Sequence, residues 1–219
     1  MLFRSLVPTA IDTVVIPDVA GAPQLSGGTT LTALHLSDTL TITGGSLTLT
    51  GASTIETTGN LILDGATLDG STVLHSSGTL TLRGGTVTLS LDNAGTLLAE
   101  TGGVINEGSA DFVNTGLIYV PPGQNLQIIA AQFVNDGEVK GHGTIDVTAS
   151  LFLNNGAVSP GSSPGILTIN GNYTQTATGV LNIELAGPTP GTQYDQLIVS
   201  GTATLAGSLN LIQIGRAHV

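Results

Sequence analysis

The chain has 219 residues, with four Lys and Arg against fifteen Asp and Glu, a formal net charge of −11, and 3% aromatic residues. Its basic groups are Arg4, Arg83, Lys140 and Arg216, which excludes nucleic acid as a partner, because recognition of a phosphate backbone needs clustered cations. There is no cysteine, so disulfides and thiolate metal ligands are excluded, and no run of apolar residues is long enough to cross a membrane as a helix.

Charged residues make up only 9% of the chain, while glycines number 31. With so many Thr, Val and Leu, that composition suits short strands and tight turns rather than helical bundles or disorder. Residues 1–28 open with Met1-Leu-Phe-Arg-Ser-Leu-Val-Pro8, which lacks the apolar core of a signal peptide. An export signal, if there is one, is expected upstream. Thr13-Val-Val-Ile16 reads as a strand, and the turn-rich Pro17 to Pro23 makes this segment an irregular first coil.

From Thr29 the alternation becomes strict, in Leu34-His35-Leu36, Leu40-Thr41-Ile42-Thr43 and Leu47-Thr48-Leu49-Thr50. A repeat then emerges, best seen in Gln132-Phe-Val-Asn-Asp-Gly137 and its relatives Leu91-Asp-Asn-Ala-Gly95, Phe112-Val-Asn-Thr-Gly116 and Phe152-Leu-Asn-Asn-Gly156. With looser copies ending at Gly59 and Gly78, successive closing glycines lie 19, 17, 21, 21 and 19 residues apart. That period is one coil of a solenoid, and it predicts an all-β, right-handed parallel β-helix of about eight coils of roughly 20 residues over 29–213.

Aligned on the closing glycine, Ile55, Leu74, Leu91, Phe112, Phe133 and Phe152 form one apolar file four residues upstream, which must point inward. Two residues further on stand Asn93, Asn114, Asn135 and Asn154, on the same side of an extended chain. Their amides are expected to stack as a ladder, each donating to the next coil. The glycine is expected to turn the corner with positive φ. After it, Leu61, Leu80, Leu97, Ile118, Val139 and Val158 face in. Between these and the next inward file lie Ile62, Thr81, Leu98, Tyr119 and Lys140, which the register points outward. Leu98, Tyr119 and Lys140 are the candidate surface contact.

The last third changes spacing but keeps the style. Gly143-Thr-Ile145, Asn154-Asn-Gly156, Ser159-Pro-Gly-Ser-Ser-Pro-Gly165, Leu167-Thr-Ile-Asn-Gly171, Tyr173-Thr-Gln175, Tyr194-Asp-Gln-Leu197 and Thr204-Leu-Ala-Gly-Ser-Leu209 together resemble the passenger region of bacterial autotransporter adhesins and related surface β-helix proteins. The resemblance covers residues 138–212. It implies export, display on the bacterial cell surface or release from it, a C-terminal translocator barrel or other anchor in the parent chain, and glycans or proteins of a host or environment as partners. The final run, Ile214-Gly-Arg-Ala-His-Val219, looks like a translated sequencing adapter, so residues 214–219 are set aside from the fold.

Parallel β-helices also carry carbohydrate lyases and hydrolases, which need paired carboxylates in a cleft or an acid-base set with a cation. Asp64 and Asp69 are near in sequence, but Asp64-Gly65 and Asp69-Gly70 read first as turns. Glu184 and Asp195 flank the loop Gly187 to Gly191 and read as a solvated rim. His35, His75 and His142 fall at different coil positions and share no metal. Gly141-His-Gly-Thr-Ile-Asp146 misses the exported-toxin calcium repeat. Thr41-Ile-Thr43, Thr48-Leu-Thr50, Thr79-Leu-Thr81 and Thr86-Val-Thr88 look like the threonine ladders of ice-binding solenoids, yet Ile62 and Leu98 interrupt them. No catalytic residue, metal or cofactor is assigned, and the expected role is a structural or adhesive segment, with a carbohydrate-active enzyme as the alternative.

Overall fold

The structure, a computed structural model, describes residues 13–16 and 24–215. Arg216 and His218 of the proposed adapter tail, and the turn-rich Pro17 to Pro23, lie outside the described residues. Each coil gives one short strand to each of three parallel sheets, of ten, ten and nine strands. The strands Phe112–Asn114, Leu117–Val120 and Asn125–Ile129 show one coil passing through the first, second and third sheet in turn. Ten strands at about 4.8 Å make a stack roughly 43 Å long. The described part of residues 1–28 is regular where it pairs. Thr13 to Ile16 lie against Ala33 to Leu36, and Gln24 to Ser26 against Thr41 to Thr43.

Alternation with period two sends every second side chain into a single core. Leu61, Leu63, Leu80, Leu82, Leu97, Ile118, Val120, Val139 and Val158 are fully buried, each worth roughly 1.5–3 kcal/mol against exposure. In the first sheet Phe112 stands on Phe133 with ring centroids 5.5 Å apart, Phe133 on Phe152 at 4.4 Å, and Phe152 on Tyr173 edge-on at 5.2 Å. Beside this aromatic file runs the amide ladder. Asn93 Nδ2 donates to Asn114 Oδ1 at 2.6 Å, Asn114 Nδ2 to Asn135 Oδ1 at 2.7 Å, and Asn135 Nδ2 to Asn154 Oδ1 at 2.8 Å. All four asparagines are completely buried, and their amides also donate to carbonyls of the corner that follows, Gly116 O from Asn114 and Gly137 O from Asn135.

Several expectations change. The apolar file does not continue unbroken to Ile55, because Leu74 pairs with Ser53 while Ile55 pairs with Ser76, in the asparagine column. The corner Glu56 to Gly59 holds two more residues than Ser77-Gly78, so glycine alignment placed Ile55 two residues out of register. The closing glycines Gly95, Gly116, Gly137 and Gly156 do not adopt positive φ. What requires glycine there is the approach of neighbouring coils: a Cβ on Gly137 would lie under 3.0 Å from Gly116 O, and one on Gly156 equally close to Gly137 O. Ile62 and Thr81 have outward parity yet are only 8% and 2% exposed. They sit in the middle strand position between adjacent coils, and Thr81 Oγ1 donates to Asn60 Oδ1 at 3.0 Å.

One corner depends on a carboxyl group rather than on a regular ladder. Between the strands Ser90–Asn93 and Phe112–Asn114 the ladder holds a single pair, Asn93 with Asn114, and the Leu91 N–H instead donates to Glu107 Oε1 at 2.8 Å. Burial raises the Glu107 pKa above 4.5, against the lowering effect of bonds from the Leu91 N–H and the Ser90 side chain. Because the folded pKa exceeds the unfolded one, this stabilisation is complete below the unfolded pKa and is lost as pH rises through the folded value. Glu107→Gln keeps an acceptor for Leu91 but cannot ionise. Its melting temperature relative to the parent should therefore rise between about pH 4 and about pH 7, and a flat difference would mean that Glu107 ionises freely.

Candidate binding cleft

The outer face of the second sheet carries the predicted contact residues on consecutive coils, with Leu98 beside Tyr119, Tyr119 beside Lys140 and Lys140 beside Ser159. The column continues into Asn182 and Asn210, where Asn182 Nδ2 donates to Ser159 Oγ at 2.9 Å and Asn210 Nδ2 to Asn182 Oδ1 at 3.0 Å. At Lys140 the face deepens into a cleft of about 220 Å³, lined by Glu138, Lys140, Ser159, Ser162, Ser163, Asn182, Glu184, Asp195 and Ile212, with Pro160 and Gly161.

The wall of this cleft is the double turn Ser159 to Gly165. His142 Nε2 accepts the Ser162 N–H at 2.6 Å, so its proton sits on Nδ1 when the ring is neutral. Ser162 Oγ lies 3.0 Å from Tyr119 Oη. Ser163 has φ of 116°, the one non-glycine residue with positive φ among the described residues, a strained conformation of the kind that structure retains where a loop's shape matters. The base of the turn is tied down by Asp195, whose Oδ1 accepts the Gly165 N–H at 2.7 Å and whose Oδ2 accepts the Glu184 N–H at 2.8 Å.

Asp195 is therefore not the solvated rim expected from its loop. It is 4% exposed, and both of its oxygens accept from backbone N–H groups, which satisfies a buried carboxyl group. Glu184 is half-buried beside it, and its Oε2 is shut off from solvent with no hydrogen-bond partner. Lys140 has no ion-pair partner among the described residues, whereas Arg83 is bound to Glu100 at 2.7 Å.

The remaining candidates do not assemble. Asp64 ends a strand of the second sheet and Asp69 lies in one of the third, so the two face outward from different sheets. His35 and His75 correct the expectation of different coil positions, since both pair with Thr54 in one outer column of the first sheet. Two coils separate them by about 9.6 Å at the backbone, too far for a shared metal ion, and each has its own partner, Thr54 Oγ1 at 3.0 Å and Asp92 Oδ2 at 2.9 Å. No group of three or more potential metal ligands occurs among the described residues.

The sequence reading missed Tyr173 and Gln175, which extend the aromatic file and the amide column. Tyr173 pairs with Phe152 and Gln175 with Asn154. The Tyr173 hydroxyl donates to Gln175 Oε1 at 3.1 Å, and burial pushes its pKa up to about 12. Tyr-x-Gln has the parity of Phe-x-Asn, a signal that was present, but the glycine that follows, Gly179, comes two residues late. Ser162, Ser163 and Glu184 of the cleft were also missed as a group, because they come together only through coil stacking.

Fold and cleft define a protein of the parallel β-solenoid class. No family model, no curated protein and no solved structure matches the chain.

Proposed function

We propose that the chain is a non-catalytic structural and adhesive segment of an exported bacterial surface protein, similar to an autotransporter passenger, which holds a contact face at a fixed distance from its anchor. The observation that carries this reading is the unbroken internal column, in which four asparagines on successive coils are hydrogen-bonded end to end beside stacked aromatic rings. Such a column resists shear and bending between coils, because displacing one coil breaks buried amide bonds on both sides. A stiff rod is what a spacer needs and what a hydrolase does not require. In the same sense, the acids that might serve catalysis are separated or engaged: Asp64 and Asp69 belong to different sheets, and Asp195 spends both oxygens on backbone N–H groups.

The carbohydrate-active alternative draws on one observation, the pair Glu138 and Glu184 in the cleft. Purified protein incubated with a panel of plant, bacterial and animal polysaccharides should release no new reducing ends or unsaturated products, and small-angle scattering should show a rod. Cleavage that disappears in Glu138→Gln or Glu184→Gln, with cooperative melting retained, would replace the spacer with an enzyme.

A further inference from the structure

We infer that His142 is an acid-released latch, whose neutral ring holds Ser162 to Pro164 closed as the wall of the cleft and whose protonation lets that segment go. The bond between ring and turn exists in one protonation state only. The Ser162 N–H donates to His142 Nε2 at 2.6 Å, and a protonated Nε2 carries a hydrogen where its lone pair was, so that donor would face donor. The ring is also fixed in place. The His142 N–H donates to Val120 O at 3.0 Å, and the Nδ1 edge lies so near the Gly165 Cα that a Cβ on Gly165 would overlap it. Gly165 does not adopt positive φ, so what requires glycine there is the ring together with the Gly161 backbone.

Loss of that bond moves only the middle of the turn. The Gly161 N–H stays on Gly141 O and the Gly165 N–H on Asp195 Oδ1, so both ends are anchored independently of the ring. Between the anchors Ser163 is held at φ 116°, which is strained for a residue with a Cβ. The bonds at Ser162 hold it there, from its N–H to His142 and between its hydroxyl and Tyr119 Oη at 3.0 Å. No carboxylate pairs with His142 among the described residues, so the closed form offers the imidazolium no counter-charge. The titratable groups around the turn are Asp195, engaged by two backbone N–H groups, Tyr119, and Glu138, Lys140 and Glu184 lining the cleft. Closure therefore belongs to the neutral ring: it is complete above the range in which imidazole titrates and is lost as pH falls through it. Release frees Tyr119 Oη, so the contact face has one shape at neutral pH and another in mild acid. The latch needs only the corner and the turn, and it stands whether or not the rod is a spacer.

The test is an NMR titration of the intact chain between about pH 5 and 8, following the Ser162 and Ser163 amides, the His142 ring and the hydrogen-exchange protection of Ser162. The two amides should move with the same midpoint as the ring, and protection at Ser162 should fall roughly tenfold or more as the ring protonates. His142→Gln offers Oε1 as an acceptor that cannot titrate, so its Ser162 amide should stay protected and unmoved across the range. His142→Ala has no acceptor and should show the acid-form shifts throughout. His75→Gln, in the first sheet, should titrate as the parent does. Cooperative melting of each variant certifies the fold, and if His142→Ala fails to fold, the parent and His142→Gln carry the test. The latch is overturned if the Ser162 amide does not follow the ring, if His142→Gln keeps the transition, which would assign it to a carboxyl group of the cleft, or if His142→Ala keeps Ser162 protected.

Discussion

Phe133→Asp should abolish cooperative unfolding. Phe133 is fully buried and sits between two rings, 5.5 Å from Phe112 and 4.4 Å from Phe152. Deleting a buried phenylalanine costs about 3–5 kcal/mol, and an unpaired carboxylate in its place adds several more. Against a total stability of about 5–15 kcal/mol for a domain, that sum exceeds or nearly exhausts what holds the coils together. The control is the next residue. Val134 belongs to the same strand, with opposite parity and partial exposure, and Val134→Asp should lower the denaturation midpoint only slightly. Equal loss in both variants would mean that the strand is not buried on one side as the register requires.

Asn135→Leu should destabilise by about 2–5 kcal/mol, since each buried partner left unpaired costs roughly 1–3 kcal/mol. The losses can be named. Asn114 Nδ2 loses its 2.7 Å acceptor and Asn154 Oδ1 its 2.8 Å donor, while the carbonyls of Gly137 and Ala157 lose bonds of 3.2 and 3.0 Å. Leucine returns part of the cost through its apolar area, which is why the effect is smaller than at Phe133. Asn155, one residue beyond the ladder, donates to Asp136 Oδ1 at the exposed rim and accepts from Thr176 Oγ1 at 2.8 Å. Asn155→Leu should therefore cost about 1 kcal/mol, less than Asn135→Leu. Urea titrations of the two variants decide the matter: equal midpoints would show that the buried amides contribute no more than a surface pair.

Together these two variants separate the parts of the repeat that were legible from those that were not. The phenylalanine file and the asparagine ladder could be read because both depend on parity within one strand and on a period between strands. Stacking then had to bring Phe112 onto Phe133 and Asn114 onto Asn135, as it does. The same logic failed at Ile55, where the corner is longer, and at Tyr173, where the glycine comes late. Counting back from glycine measures corner length and strand length together, and only coordinates separate them. The outward threonines and Ile62 show a second limit. Parity tells which way a side chain points, but burial on an outer face depends on how closely the neighbouring coils' side chains cover it.

By itself the sequence determined the class of the fold, the inward columns of the regular coils from Leu91 to Gly156 and the absence of cysteine chemistry, because a solenoid repeats one local rule and every contact lies one period away. The tertiary structure decided three things that no local rule contains. It placed Gly165, Glu184 and Asp195 around one buried carboxylate, although they are up to thirty residues apart in the chain. It showed that the closing glycines are required by the carbonyl of the adjacent coil rather than by their own φ. And it gathered Lys140, Ser159, Asn182 and Glu184 into a cleft, since a concave surface arises from how successive coils differ, and a repeat pattern records only what they share.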